Sequence, residues 1–313
     1  MSERITTEID GLVLGLSNLD KPLFPSGFTK GELIAYYVGI AETMLPHLRD
    51  RAITRVRFPD GTAGGSFYEK NLPPGAPDWV STVDVATSAG TVTYVTAGSR
   101  ADLAWLANLA AVELHTPQWR IQDATGSPAG LVLSGPHEPR STTLVVDLDP
   151  GPGVTPADSG RGAIIAATVL AEMGLEAHPK SSGNKGLQLS VPIQPTPASV
   201  VHTFASALAQ YLARRYPRQF VAVMRKQARA GLLFVDHGQN LAARNTVTAY
   251  SVRGLEEPSV ATPLTWEEVA ALAPDAPVRV GPAEMLERVA DLGDLFAPAL
   301  PTPDSPALPA PEF

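Results

Sequence analysis

Asp147-Leu148-Asp149 sets two carboxylates two residues apart at the end of a β-branched, apolar run that begins at Thr142. On a strand, residues two apart point to the same side, so both acids face one way while Leu148 faces the core. Two carboxylates side by side repel each other unless a cation lies between them. Oxygen-only ligands suit Mg²⁺ or Mn²⁺, and a pair of such ions roughly 3.5–4 Å apart serves in-line phosphoryl transfer. Sugar-nucleotide transferases and aspartyl phosphatases carry similar pairs, and such a pair also simply ends strands in solvent. An aspartyl phosphatase wants Thr or Val two places after its second Asp; Gly151 stands there, so that reading fades. Leu232 to Val235 reads as a second buried strand, ending in Asp236. If the two strands are neighbours, three carboxylates converge at one sheet end.

The loop Ser181 to Gly186 is suited to anions. Gly183 and Gly186 permit backbone conformations that turn successive N–H groups toward a phosphate, and Ser182 and Lys185 add a hydroxyl and a charge. It lacks the GxxxxGK[ST] spacing of a P-loop, and a polar connection between strands has the same composition. Around these residues the charge is uneven. Gln210 to Arg253 holds eight basic side chains (Arg214, Arg215, Arg218, Arg225, Lys226, Arg229, Arg244, Arg253) against one acid, Asp236, although the whole chain is -8. Local charge decides where phosphates dock, so an anionic partner such as a nucleic acid or nucleoside triphosphate fits this stretch; a solvated basic helix is the plainer reading.

Several elements must position these groups. Apolar spacing predicts a helix from Thr29 to Leu48, with Thr29 as its cap, and another from Ala101 to His115, ended by Pro117. Ala52 to Phe58 and Thr142 to Asp149 read as strands. Thr155 caps a helix with Pro156 in its first turn, and Gly174 sits where a C-terminal cap belongs. Leu187 to Val191 alternates as a strand, Ala198 to Arg215 as a helix, and strands follow near Phe220 to Met224 and Leu232 to Asp236. Short helices are expected over Trp266 to Leu272 and Pro282 to Leu292. Lacking a regular βαβ rhythm, the pattern implies an α+β fold with mixed β-sheets flanked by helices. Residues 1–296 read as one catalytic domain. Residues 297–313, six of them proline, read as a disordered or extended tail.

The 313 residues contain no cysteine, which removes disulfide frameworks, thiolate zinc sites and thiol catalysis. No apolar run is long enough to span a membrane, and the start MSERITTEID is not a secretory signal, so a soluble, cytoplasmic protein with no membrane partner is expected.

Larger motifs stand in an order that carries a resemblance. They are Val145-Val146-Asp147-Leu148-Asp149-Pro150-Gly151, Ser181-Ser182-Gly183-Asn184-Lys185-Gly186-Leu187, Leu233-Phe234-Val235-Asp236-His237-Gly238-Gln239-Asn240 and Tyr250-Ser251-Val252-Arg253-Gly254. Ser17-Asn18-Leu19-Asp20-Lys21, Phe67-Tyr68-Glu69-Lys70 and His115-Thr116-Pro117-Gln118-Trp119-Arg120 add to them. Together they resemble the polymerase domain of bacterial DNA ligase D, in the archaeo-eukaryotic primase superfamily, in a stand-alone version.

The resemblance implies a primase-polymerase-like catalytic core performing template-directed nucleotidyl transfer at gapped or broken DNA, with Mn²⁺ or Mg²⁺. Asp147, Asp149 and Asp236 match the metal-holding catalytic acids. Ser182, Lys185, Arg253 and His115 match contacts to the incoming NTP or dNTP, and Gln239, Arg229 and Arg244 lie on loops around primer and nucleotide. Asn18, Lys21 and Lys30 match a pocket for the DNA 5′-phosphate, and Phe67 and Tyr68 match an aromatic pair that stacks on the template. A Ku-type end-binding protein and a separate DNA ligase are implied as partners. Two positions depart from the pattern. Gln188 stands where the family has a phosphate-binding histidine, so weaker triphosphate binding is expected, because a neutral donor binds less tightly than a charged one. Val56 stands where relatives often carry lysine. The alternatives are a catalytically weakened relative that binds gapped or 5′-phosphorylated DNA and, more distantly, a sugar-nucleotide transferase.

Overall fold

The computed structural model describes residues 4–87, 89–123, 131–135, 137–275 and 278–311. The chain forms two compact units: 1–116 with 247–261 and 280–294, and 117–246 with 262–279 and 295–313.

The first unit opens with the hairpin β1 (Arg4–Ile9) and β2 (Leu12–Ser17). The helix expected over residues 29–48 is two helices, α1 (Lys30–Gly39) and α2 (Ala41–Leu48), meeting at Ile40. Glycine has poor helix propensity, and Gly39 is where the first one stops. Thr29 is the predicted cap, and it exchanges hydrogen bonds with Glu32 in a capping box. Strands β3 (Thr54–Arg57), β4 (Phe67–Glu69), β5 (Thr82–Thr87) and β6 (Gly90–Val95) follow.

The expectation of one helix from Ala101 to His115 is corrected. Helix α3 (Arg100–Asn108) ends early, Ala110 takes a left-handed φ of 56°, and Ala111–Thr116 is a strand, β7. Glu113 and His115 alternate with Val112 and Leu114, but the run is short and follows the helix with no Gly or Pro between them, so the strand reads as a continuation of the helix. Antiparallel pairing gives the order β7-β3-β4.

The second unit holds β8 (Leu131–Val132), β9 (Arg140–Pro150), α4 (Pro156–Glu172), β10 (His178–Ser181), β11 (Leu187–Pro197), α5 (Ala198–Arg215), β12 (Phe220–Val221) and β13 (Leu233–Val235). The chain continues through β14 (Thr246–Val247), returns to the first unit for β15 (Val252–Arg253) and β16 (Ser259–Val260), supplies α6 (Trp266–Ala270) to the second, and gives α7 (Pro282–Leu292) to the first. A five-stranded sheet ordered β10-β11-β9-β13-β12 dominates the second unit, with β12 and β13 parallel and the other pairs antiparallel. This is the mixed sheet with helices that the sequence pattern implied.

One face of that sheet is apolar. Leu144, Val146 and Leu148 of β9, Leu187, Leu189 and Val191 of β11 and Leu233 and Val235 of β13 pack with Ala166 and Leu170 of α4 and Phe204 and Leu208 of α5. Each large aliphatic side chain buried this way contributes about 1.5–3 kcal/mol. The intervening residues, Asp147, Asp149 and Gln188 among them, project from the opposite face.

The proline-rich end, expected as disordered or extended, starts with a 3₁₀ turn at Ala297–Ala299, turns again at Thr302 to Ser305, and is packed over its described part. The Gln194 N–H donates to the Pro306 carbonyl at 2.9 Å, Ser305 is buried, and Leu308 lies against the core. No helix among the described residues is long and apolar enough to cross a membrane.

Candidate active site

The three acids converge in the second unit. Asp147 and Asp149 project from β9, and Asp236 follows β13. The pairing of Phe234 with Asp149 and Val235 with Leu148 runs on into a 2.9 Å bond from the Asp236 N–H to the Asp147 carbonyl. One oxygen of each carboxylate then lies within 4.8 Å of the others. Asp236 is held on both oxygens: Oδ1 accepts the Gly238 N–H at 3.1 Å, and Oδ2 accepts the Gln239 amide at 2.9 Å. The predicted loop residue Gln239 therefore orients a predicted acid.

Burial and neighbouring acids raise the pKa of Asp147 and of Asp149. Burial pushes Asp147 above the usual carboxylate range, to about 7, and neighbouring Asp149 and Asp236 add to it; the Gln188 hydrogen bond and the Lys180 charge pull it down. Asp149 is raised by burial and by Asp236, and Arg229 opposes the shift. Three buried or half-buried carboxylates this close are a strained set without a cation, and an all-oxygen set fits a hard divalent ion.

A row of polar residues crosses the sheet beside them. Register pairs Lys180 of β10 with Gln188 of β11, and Gln188 with Asp147 of β9. Gln188 is 5% exposed, and the buried ammonium of Lys180 donates to its Oε1. Sequence reasoning found Gln188 but missed Lys180, whose signal was a lysine on the short strand that leads into the anion loop.

In that loop the Ser182 hydroxyl accepts the Gly186 N–H at 3.2 Å, and the Ser182 N–H donates to the Gly186 carbonyl at 2.9 Å. These bonds close the loop on itself, and a Cβ at Gly186 would fall 3.0 Å from the Leu148 carbonyl oxygen, so the loop lies close against β9, with Lys185 exposed. A pocket of about 530 Å³ opens along it, walled by Pro150, Pro156, Lys185 and Val278; none of the three acids lines it. Gly151 has its own reason: a Cβ there would fall 1.7 Å from the Arg229 carbonyl oxygen. The 226–231 turn thus lies directly against the acid strand. Arg229 stacks on the Phe234 ring at 3.6 Å and donates to the Met224 carbonyl at 2.5 Å, and Arg244 is exposed.

The remaining predicted residues belong to the first unit. Asn18, with a left-handed φ of 53°, accepts the Lys21 N–H at 3.1 Å, and Lys21 in turn accepts the Lys30 N–H at 2.9 Å. Asn18, Lys21 and Lys30 are therefore brought together. Lys30 is buried rather than on the surface; burial and the charge of Lys21 both lower its pKa. Phe67 and Tyr68 on edge strand β4 are 58% and 66% exposed, an apolar pair left in solvent. His115 is buried on β7, where its Nε2 meets Glu113 at 2.8 Å, and Arg253 pairs with the same carboxylate at 3.1 Å. Val56, the second departure, is buried between its strand partners Glu113 and Tyr68. Glu113 was missed because residues 101–115 were read as a helix; on a strand, its place two before His115 puts both side chains on one face.

The model of the LigD primase-polymerase domain matches residues 29–296. The chain belongs to the LigD primase-polymerase family. The multifunctional non-homologous end joining protein LigD of Mycolicibacterium smegmatis is 40% identical over 286 residues, a match covering 90% of this chain and 35% of the relative. The bifunctional LigD of Bacillus subtilis is 31% identical over 263 residues, covering 82% of this chain and 39% of the relative. This chain thus spans little more than a third of the length of these LigD proteins. The polymerase domain of Mycobacterium tuberculosis ligase D, solved in complex with DNA, superposes with a TM-score of 0.84 at 38% identity, covering 94% of this chain and 99% of that domain. The LigD polymerase fold therefore extends over nearly the whole of this chain.

Proposed function

We propose that the chain catalyses template-directed nucleotidyl transfer at gapped or broken DNA, in gap filling or end joining. The observation that carries this reading is the meeting of Asp147, Asp149 and Asp236 within 4.8 Å, in a family whose solved relative is a polymerase domain in complex with DNA. The three carboxylates would hold two divalent cations, Mn²⁺ or Mg²⁺. When bound, such ions neutralise charge on a triphosphate and make a 3′-hydroxyl more acidic.

The chain's own residues divide the rest of the work. Asp236, held by Gln239 and the Gly238 N–H, presents a fixed carboxylate. Ser182, Lys185 and Gln188 supply donors for phosphate oxygens, with His115 and Arg253 as further nucleotide contacts. Lys21, which pairs with Asp60 at 3.6 Å, and Lys30, which donates to the Asn108 carbonyl at 3.2 Å, would offer charge to a DNA 5′-phosphate, with Asn18 at the same turn. Exposed Phe67 and Tyr68 offer rings on which template bases stack, each worth about 1–3 kcal/mol. Arg229 and Arg244 supply charge toward the primer. The relatives are named as non-homologous end joining proteins, which supports broken DNA as the setting; a Ku-type end-binding protein and a DNA ligase would be the partners there.

Primer extension on a gapped duplex bearing a 5′-phosphate, with Mn²⁺ and complementary nucleotides, tests the reading. Extension that is lost in Asp149→Ala, with gel-shift binding of the duplex retained, supports it. Binding without extension by the unaltered protein would select the weakened, DNA-binding alternative.

A further inference from the structure

We infer that Glu113 is a positioning residue that holds His115 and Arg253 in register for the nucleotide; this rests on reading those two residues as nucleotide contacts. One buried carboxylate gathers three groups from two distant stretches of chain. Its Oε2 lies 2.8 Å from His115 Nε2. Its Oε1 accepts the Gly254 N–H at 2.9 Å, across 141 positions of sequence, and lies 3.1 Å from Arg253 Nε.

Chemistry gives the arrangement its purpose. Burial alone would raise the Glu113 pKa, but the His115 hydrogen bond, the Arg253 charge and the Gly254 N–H outweigh it and hold the acid down at about 2. An ionised carboxylate between an imidazole and a guanidinium holds both, by a hydrogen bond on one oxygen and an ion pair on the other. It also fixes the imidazole ring, because a histidine nitrogen bound to a carboxylate sets which nitrogen carries the proton and how the ring is turned. The Gly254 bond ties the backbone beside Arg253 to the same group, and a Cβ at 254 would fall 2.1 Å from the Phe58 ring, so this backbone sits close against β3 and its flank. The Tyr68 ring stands 5.8 Å from His115. Glu113 itself is buried, so it acts through these neighbours.

The test is a double-mutant cycle in the full chain, read as nucleotide KM and kcat in primer extension with Mn²⁺. Glu113→Gln, nearly the same shape without the charge, is expected to raise nucleotide KM about tenfold while kcat stays within about threefold. In a His115→Ala background the same substitution is expected to cost clearly less, because the group it acts through is gone. Glu113→Asp, which keeps the charge, should recover part of the loss. An unchanged KM in Glu113→Gln, or an equal rise in both backgrounds, overturns the inference. So does a fall in melting temperature with kcat, KM and DNA binding all impaired together, which marks a merely structural acid. If His115→Ala and Arg253→Ala themselves leave nucleotide KM unchanged, the nucleotide reading fails, and the inference falls with it for that separate reason.

Discussion

Gln188 lies directly across from Asp147 in the antiparallel pairing of β11 with β9, and its amide hydrogen bond is one of the two influences that hold the Asp147 pKa down. The same side chain accepts a bond from Lys180 on its other flank. An amide can do both at once because it offers a donor at one end and an acceptor at the other. The departure at position 188 is therefore built into the acid site.

Replacing Gln188 by His should tighten nucleotide binding. An imidazole that becomes charged against phosphate makes a bond roughly twice as strong as a neutral amide's. The expected outcome is a nucleotide KM lowered by about threefold or more, measured in primer extension, with the metal requirement unchanged.

Lys180→Met should shift the pH dependence upward. Both the charge of Lys180 and the amide it orients favour ionised Asp147, so removing them raises the pKa of that acid further. The acidic limb of the pH–rate profile is expected to move to higher pH, while the alkaline limb stays in place.

Asp147→Asn should abolish synthesis yet stabilise the metal-free protein at pH 8. The folded-state pKa is raised, so the fold favours the protonated acid. The favourable contribution is complete below the unfolded value near 3.8 and is lost as pH rises through about 7. At pH 8 the metal-free protein carries that penalty, and the neutral amide does not. A gain of about 1 kcal/mol or more is expected by denaturant unfolding in the presence of chelator, shrinking to nothing at pH 4.

Millimolar Mn²⁺ should raise the melting temperature of the unaltered protein and leave that of Asp149→Ala nearly unmoved. A ligand at about a hundred times its Kd stabilises by about 2.7 kcal/mol. Protons compete for the same carboxylates, so the shift should be smaller at pH 6 than at pH 8.

Gly151→Ala should act through backbone crowding, with no change of charge. The added methyl would meet the Arg229 carbonyl at 1.7 Å, and a backbone atom cannot swing aside as a side-chain tip does. A loss of about 2–4 kcal/mol in unfolding free energy, or a displaced 226–231 turn with impaired extension, is expected.

Much of this was legible in the residues. Alternation in Leu144 to Asp149 put both acids on one side, Thr155 and Pro156 marked the start of a helix, and Ala198 to Arg215 is a helix at the bounds its periodicity gave. These are local properties: strand period, cap chemistry and helical spacing are fixed within a few residues of chain. Local pattern failed at Ala111 to Thr116, where a six-residue strand follows a helix with no Gly or Pro to mark the break, and it took Glu113 and the true setting of His115 with it. Only the tertiary structure decided which strands are neighbours. Whether Asp236 meets Asp147, whether Lys180 reaches Gln188, and whether Arg253 finds Glu113 all depend on pairings that span from eight residues of chain to more than a hundred. Such pairings are set by how apolar faces pack, and no single segment carries that information.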